Sequence, residues 1–185
     1  MPGKRSLRDD VETVLIAPEE LTAAVDSIAL RLTEDVGDLN PLFIGVQIGA
    51  FVFLADLIRI LDFPLEVEFI GASSYRDKTV PGKLEINNDV ASDIAGRHLV
   101  VVDDIIDTGH TLQALIQMLR KRNAASVRSC CLLDKPERRE CDYEADYVGI
   151  QIPDRFVVGY GLDHAEQYRN LPYVGVLRPE LYNST

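Results

Sequence analysis

The chain has 185 residues, 46% apolar and 26% charged, with three cysteines, no tryptophan and a formal net charge of -11 at pH 7. That composition suits one ordinary globular domain, residues 1–185, large enough to bury a core. Such an excess of acid repels phosphate backbones and anionic lipid surfaces, so a nucleic-acid or membrane role would need a local basic patch. The short runs Arg120 to Arg122 and Arg138-Arg139 read as solvated helix ends and turns instead.

The opening MPGKRSLRDD has charges and no apolar core of signal-peptide length, and the longest apolar stretch, Leu42 to Ala55, is interrupted by Gln47 and ends at Asp56. A soluble, cytoplasmic protein is the expectation. Pro18, followed by Glu19 and Glu20, starts a first helix whose apolar face is Leu21, Val25, Ile28 and Leu32 and whose stop is Gly37. Leu42 to Val46 reads as a buried strand, the Gly45 and Gly49 bracket as a tight turn, and Phe51 to Ile60 as a second helix. Leu65 to Ile70 follows as another strand.

From Gly71 to Gly96 the chain turns polar, with one short β-segment near Lys83 to Ile86; a loop of this length in a compact domain is usually a lid or a binding loop. Leu99 to Val102 is the next strand. Leu112, Leu115, Ile116 and Leu119 then recur at helical spacing. Cys130 to Leu133, Tyr147 to Ile152, Phe156 to Tyr160 and Tyr173 to Leu177 make the last part strand-rich. The adjacent Cys130 and Cys131 fit neither metal-ligand spacing nor an even disulfide framework, and buried free thiols are the simpler reading.

The most informative stretch is LVVVDDIIDTGHT, Leu99 to Thr111. An apolar strand runs into Asp103 and Asp104, then Asp107, then a Thr-Gly pair opening a helix. Backbone amides there, the hydroxyls of Thr108 and Thr111, and a Gly109 that admits close approach form a cradle for a monophosphate. Three carboxylates would repel that ligand unless it is a sugar phosphate with neutral hydroxyls toward Asp103 and Asp104 and Mg²⁺ between the acids and a pyrophosphate. N-capping by Asp107 or Thr108 explains one acid and leaves two without a reason.

VVVDDIIDTGHT resembles the phosphoribosyl-pyrophosphate signature of type I phosphoribosyltransferases. GVQIGAFVFLADLIR at Gly45 to Arg59, SSYRDKTV at Ser73 to Val80, the segment LLDKPERR, and IPDRFVVGYGLD at Ile152 to Asp163 are similar to the hypoxanthine-guanine branch. The resemblance implies an α/β fold, a central, mainly parallel sheet flanked by helices, with a lid over about 71–90. It also implies a small hood from the N-terminal segment and about 153–185. It further implies Mg²⁺-dependent transfer of the 5-phosphoribosyl group from phosphoribosyl pyrophosphate to hypoxanthine or guanine, in a homodimer or homotetramer that binds no nucleic acid and no membrane.

By the same resemblance, Asp103 and Asp104 hold the ribose hydroxyls, directly or through Mg²⁺, and Asp107 is the acid beside the purine imidazole. Asp107, Thr108, Gly109, His110 and Thr111 hold the 5-phosphate. Gln47, Ile48, Gly49 and Arg169 meet pyrophosphate, Asp163 binds a second Mg²⁺, and the Ser74-Tyr75 pair belongs to the lid. Lys135 contacts the purine 6-oxo group, Phe156 stacks on the ring, and Val157, with Asp163, meets its edge. Read without the resemblance, Lys135 is a solvated turn lysine, Phe156 a core aromatic, Asp163 and His164 a strand end, and Tyr75 a surface loop residue. The chain departs from the family's usual Leu-Lys-Gly with Gln47-Ile48-Gly49, and from its usual Lys with His110. The resemblance implies a cis peptide at Gln47-Ile48 in at least one state, with Ile48 a packing residue.

Other classes stay open at this point. A phosphorylation-receiver domain also places paired acids after an apolar strand, though near the domain start. A non-catalytic nucleotide sensor or RNA-binding relative would keep the same loop. A dinucleotide fold is weaker, because Gly159-Tyr160-Gly161 lacks the third glycine of the fingerprint.

Overall fold

A computed structural model describes residues 6–74 and 84–182. Its main sheet has six strands in the order β4-β3-β2-β5-β6-β7. They are β2 (Leu42–Gln47), β3 (Glu66–Ser74), β4 (Leu84–Asn88), β5 (His98–Ile106), β6 (Ser126–Asp134) and β7 (Tyr147–Gln151). All neighbours run parallel except β3 and β4. The central strands are near-continuous apolar runs because both sheet faces are covered.

Alternation along those strands sorts the core into two layers. Phe43, Val100 and Val102 pack with the apolar faces of α1 (Pro18–Val36) and α2 (Phe51–Ile58). Leu42, Ile44, Leu99 and Val101 pack on the opposite face with Leu112, Leu115, Ile116 and Leu119 of α3 (His110–Arg120). The predicted stripes of the first and third helices are therefore the buried ones. At the start of α1 the Glu20 carboxylate accepts from the Ala17 amide at 2.8 Å, satisfying a donor the helix cannot. Cys130 and Cys131 are buried free thiols, as expected.

A second, antiparallel sheet of order β1-β9-β8 stands apart, formed by β1 (Val11–Ile16), β8 (Val157–Val158) and β9 (Val174–Leu177). β1 has no counterpart in the sequence reading. Its partner β9 lies at the other end of the chain, and Glu12 and Thr13 face solvent, so little local pattern betrays it.

Several expected boundaries change; β6, for one, begins at Ser126 and not Cys130, and α2 ends at Ile58 and not Ile60. β5 does not stop at Val102 but runs to Ile106, because its ladder to β6 continues to the Ile106 and Asp134 pair. The strand expected over Phe156 to Tyr160 shrinks to Val157–Val158. Gly159 (φ 101°) and Tyr160 (φ 52°) leave the β region, and a Cβ at Gly159 would stand 2.1 Å from the Tyr173 carbonyl. β9 begins at Val174, not Tyr173. The polar segment after Gly71 is less irregular than expected, since β3 extends to Ser74 and pairs with β4. The rest of the expected lid, including Tyr75, lies outside the described residues, and Ser74 is the last residue of β3. Among the described residues no helix is long and apolar enough to cross a membrane.

Candidate active site

The sheet parts at one point. β2 and β5 pair only as far as Gly45 and Val102, whereas β5 stays bonded to β6 for four residues more. Past Gln47, which still pairs with Gly71 of β3, the chain leaves the sheet, with the Gln47-Ile48 peptide cis and the Ala50 amide returning to the Val46 carbonyl at 3.3 Å. From here β2 leads through α2 to β3 on one side, and β5 leads through α3 to β6 on the other. Such a reversal of strand order leaves a crevice beyond the strands' carboxyl ends, where ligands of open α/β sheets bind.

A cavity of about 240 Å³ occupies that crevice, lined by Gln47, Gly49, Asp103, Asp104, Asp107, Thr108, Gly109 and Thr111 among others. Asp103 and Asp104 sit within β5, and the Asp103 carboxylate accepts from the Asp104 amide at 3.0 Å. The Asp104 carboxylate accepts from the Ile105 amide at 2.8 Å. Burial, joined by the adjacent negative charge, holds the Asp103 carboxyl well above the usual range. Burial also raises Asp104, against hydrogen bonds and the nearby Arg169 charge. Two crowded carboxylates of this kind are relieved by a cation. Among the described residues no three His, Cys, Asp or Glu groups converge as a metal cage. The donor set therefore fits a hard ion that takes one or two carboxylates and keeps waters or phosphates as its other ligands.

Asp107 to Thr111 wrap the N-terminus of α3, with Gly109 (φ 88°) as its cap residue. A Cβ at Gly109 would lie 2.8 Å from the Cys141 Sγ and 2.9 Å from Arg139 Cδ, so only glycine lets the loop pack against its support. That support is the segment after β6. The Glu140 amide donates to the Thr108 carbonyl at 3.0 Å, the Cys141 thiol donates to the same carbonyl at 3.4 Å, and Arg139 bridges the Asp134 carboxylate and the Asp107 carbonyl. Arg138 Nε lies 2.9 Å from Asp107 Oδ1. The sequence reading of Arg139 as a solvated turn residue is thus corrected, since its guanidinium is largely covered against Asp134; Arg138 is an exposed turn residue as expected, although it faces Asp107. His110 does not line the cavity; its Nε2 lies 3.2 Å from the Glu140 carboxylate.

A second cavity, about 450 Å³, adjoins the first and is lined by Ile105, Asp107, Lys135, Phe156, Val157, Leu162 and Tyr182 among others. Ile105 and Asp107 belong to both. Lys135 is only 6% exposed, which overturns the solvated-lysine alternative; its amide donates to the Ile106 carbonyl at 3.0 Å. Burial lowers its pKa against the pull of Asp107 and Asp154. Phe156 is not a core aromatic either, being 37% exposed and stacked on Tyr182 at 4.5 Å. Asp107 Oδ1 is buried and faces Arg138 without hydrogen-bond alignment or another hydrogen-bond partner among the described residues. The Asp107 side chain as a whole is 40% exposed, so the carboxylate still opens on the cavities it lines.

Asp163 and Arg169 line neither cavity. They pair with each other at 2.9 Å, while Arg169 Nη1 donates to the Gly161 carbonyl at 2.8 Å. Gly161 (φ 101°) in turn presses on the Gln47-Ile48-Gly49 turn, because a Cβ there would sit 2.2 Å from the Gly49 carbonyl. Ile48 is 56% exposed and lines neither cavity. Ile105, Leu162 and Tyr182 were missed in the sequence, where apolar cavity walls look like core residues.

The phosphoribosyl transferase domain family matches residues 13–165. The hypoxanthine-guanine phosphoribosyltransferase of Bacillus subtilis is 47% identical over 96% of this chain and 99% of its own length. The chain belongs to the phosphoribosyltransferase family, in its hypoxanthine-guanine branch. The Streptococcus pneumoniae hypoxanthine-guanine phosphoribosyltransferase is 46% identical over the same shares of the two chains. A crystal structure of a Staphylococcus aureus hypoxanthine phosphoribosyltransferase superposes with a TM-score of 0.92 at 39% identity, covering 97% of this chain and 99% of that one. The fold is therefore the type I phosphoribosyltransferase fold, and the receiver and dinucleotide-binding alternatives fall away.

Proposed function

We propose that the whole chain is one phosphoribosyltransferase domain that salvages 6-oxopurines. It transfers the 5-phosphoribosyl group of phosphoribosyl pyrophosphate to hypoxanthine or guanine and releases pyrophosphate. The observation that carries this reading is the meeting of the two cavities at Asp107. The smaller one, with paired acids and a helix N-terminus, suits a sugar phosphate; the larger, with Lys135 and Phe156, suits a planar oxo base.

Bond breaking at the anomeric carbon develops positive charge on the sugar and negative charge on the leaving group, as in glycoside chemistry. Amides and hydroxyls of Thr108 to Thr111 hold the 5-phosphate, and Asp103 and Asp104 hold the ribose hydroxyls. Asp103 and Asp104 would hold one Mg²⁺ and Asp163 a second, and these ions would supply positive charge opposite the departing pyrophosphate. The turn Gln47-Ile48-Gly49 and Arg169 orient that group. The Asp107 carboxylate accepts the imidazole proton as the base attacks. The Lys135 ammonium donates to the 6-oxo group and disfavours adenine, whose amino group is itself a donor. Ser74 and Tyr75 belong to a lid that excludes water from the activated sugar. His110 supports the phosphate loop from outside, through Glu140.

The assembly is a homodimer or homotetramer in the cytoplasm, and neither nucleic acid nor membrane is a partner. The experiment is incubation with phosphoribosyl pyrophosphate, Mg²⁺ and hypoxanthine, guanine, xanthine or adenine in turn. Nucleotide formed from hypoxanthine or guanine supports the reading. Binding of phosphoribosyl pyrophosphate with no nucleotide from any base would leave a non-catalytic relative.

A further inference from the structure

The base-stacking ring has a companion that the family resemblance does not supply. Phe156 lines the cavity and is 37% exposed. Its ring neighbours are Tyr182, nearly parallel at 4.5 Å and 16°, and His164, edge-on at 5.4 Å and 89°. Tyr182 is delivered by a short chain of bonds. The Leu177 amide at the end of β9 donates to the Phe156 carbonyl at 2.9 Å, and the Arg178 amide donates to the Asp10 carbonyl at 3.0 Å. The single turn Pro179–Leu181 follows, closed by the Leu181 amide on the Arg178 carbonyl at 3.0 Å.

We propose that Tyr182 is a positioning residue for the purine base, holding the plane of Phe156. This rests on the reading of Phe156 as the ring that stacks on the base. Tyr182 lines the same cavity as Ile105, Val157 and Leu162, but it is anchored in the hood, where it packs with the cluster of Val11, Val158, Tyr168, Leu171 and Leu177. One face of Phe156 carries the Tyr182 ring, and the base takes the other. An aromatic pair in offset-stacked geometry resists the tilt that would spoil a second stack on its free face.

The test is steady-state kinetics at saturating phosphoribosyl pyrophosphate and Mg²⁺ on three variants of the full chain. Tyr182→Leu keeps apolar packing against the hood and removes the ring; it should raise KM for hypoxanthine about 3- to 10-fold, the worth of an aromatic pair, and leave KM for phosphoribosyl pyrophosphate within about twofold. Tyr182→Phe should restore the base KM to within about twofold of wild type. Phe156→Leu should raise the base KM at least as much as Tyr182→Leu. An unchanged base KM in Tyr182→Leu beside a raised one in Phe156→Leu overturns the inference and spares the stacking assignment. A lowered base KM in Tyr182→Leu would show that the tyrosine competes with the base, which also overturns it. An unchanged base KM in Phe156→Leu overturns the stacking assignment and this inference with it.

Discussion

Gly49 and Asp104 are in contact so close that a side chain cannot come between them: a Cβ at Gly49 would lie 1.8 Å from Asp104 Oδ2. The turn that follows β2 and the second acid of β5 are therefore built as one unit, across the gap where the two strands have stopped pairing.

Gly49→Ala must push Asp104 or the turn by more than 1 Å, given the 1.8 Å approach. Displacements of that size at a site can cost about 10²-fold in rate. A loss of kcat/KM of roughly that size is expected, with phosphoribosyl-pyrophosphate binding weakened in parallel. A variant of near-wild-type activity would show that this contact is not part of the working site.

Asp107→Asn keeps the shape of the residue that both cavities share but removes its basicity. Turnover should fall roughly 10²-fold, within the range for a positioned acid-base group, while the sugar-pyrophosphate Kd changes much less. Single-turnover rates beside equilibrium binding of phosphoribosyl pyrophosphate separate the two.

Lys135→Ala removes a buried ammonium from the larger cavity and leaves the phosphate loop intact. kcat/KM for hypoxanthine and guanine should fall about 10- to 100-fold, the worth of a hydrogen bond from a charged donor. The Kd for phosphoribosyl pyrophosphate should hold. An equal loss in both would point to a folding defect.

Ile48 is 56% exposed and lines neither cavity. Ile48→Lys, which restores the family's usual residue, should therefore leave activity within about tenfold, or roughly 1.4 kcal/mol. A large rate gain would mean that this turn is an impaired version of the family's.

Far from the site, the Tyr147 hydroxyl donates to Asp35 at 2.7 Å and accepts from Arg128 at 2.7 Å. Burial and the Asp35 hydrogen bond push its pKa up to about 12, against about 10 in the unfolded chain. Below about pH 10 both states keep the proton and the bond's full contribution is present. Above it the unfolded state ionises first, so stability falls as pH rises toward about 12. Denaturant midpoints measured across that window should decline more steeply for wild type than for Tyr147→Phe.

Local pattern revealed what local forces decide. The helical stripe of Leu112, Leu115, Ile116 and Leu119, the buried strand at Leu42 and the acid-rich loop before α3 each follow from periodicity or chemistry within a few residues. β1 escaped because its pairing with β9 joins the two ends of the chain. The burial of Lys135 and the inward turn of Arg139 escaped for a related reason. Composition makes such residues solvent-facing by default, and only the neighbouring Asp107 and Asp134, brought close by the β5 and β6 pairing, reverses that default. The walls made by Leu162 and Tyr182 were hidden because an apolar residue facing a cavity has the same signature as one facing a core.

The order in which the two cavities are written along the chain has a practical consequence. Apart from the shared Ile105 and Asp107, the sugar side draws on residues between Val46 and Leu112, and the base side on residues between Lys135 and Tyr182. On the proposed function, recognition of the sugar donor draws mainly on the earlier stretch and recognition of the base on the later one, with Asp163 and Arg169 as the donor-side exceptions. A graft of the later stretch from a relative with another base preference would exchange the acceptor side and carry those two residues with it. The shared aspartate would then have to serve both parents.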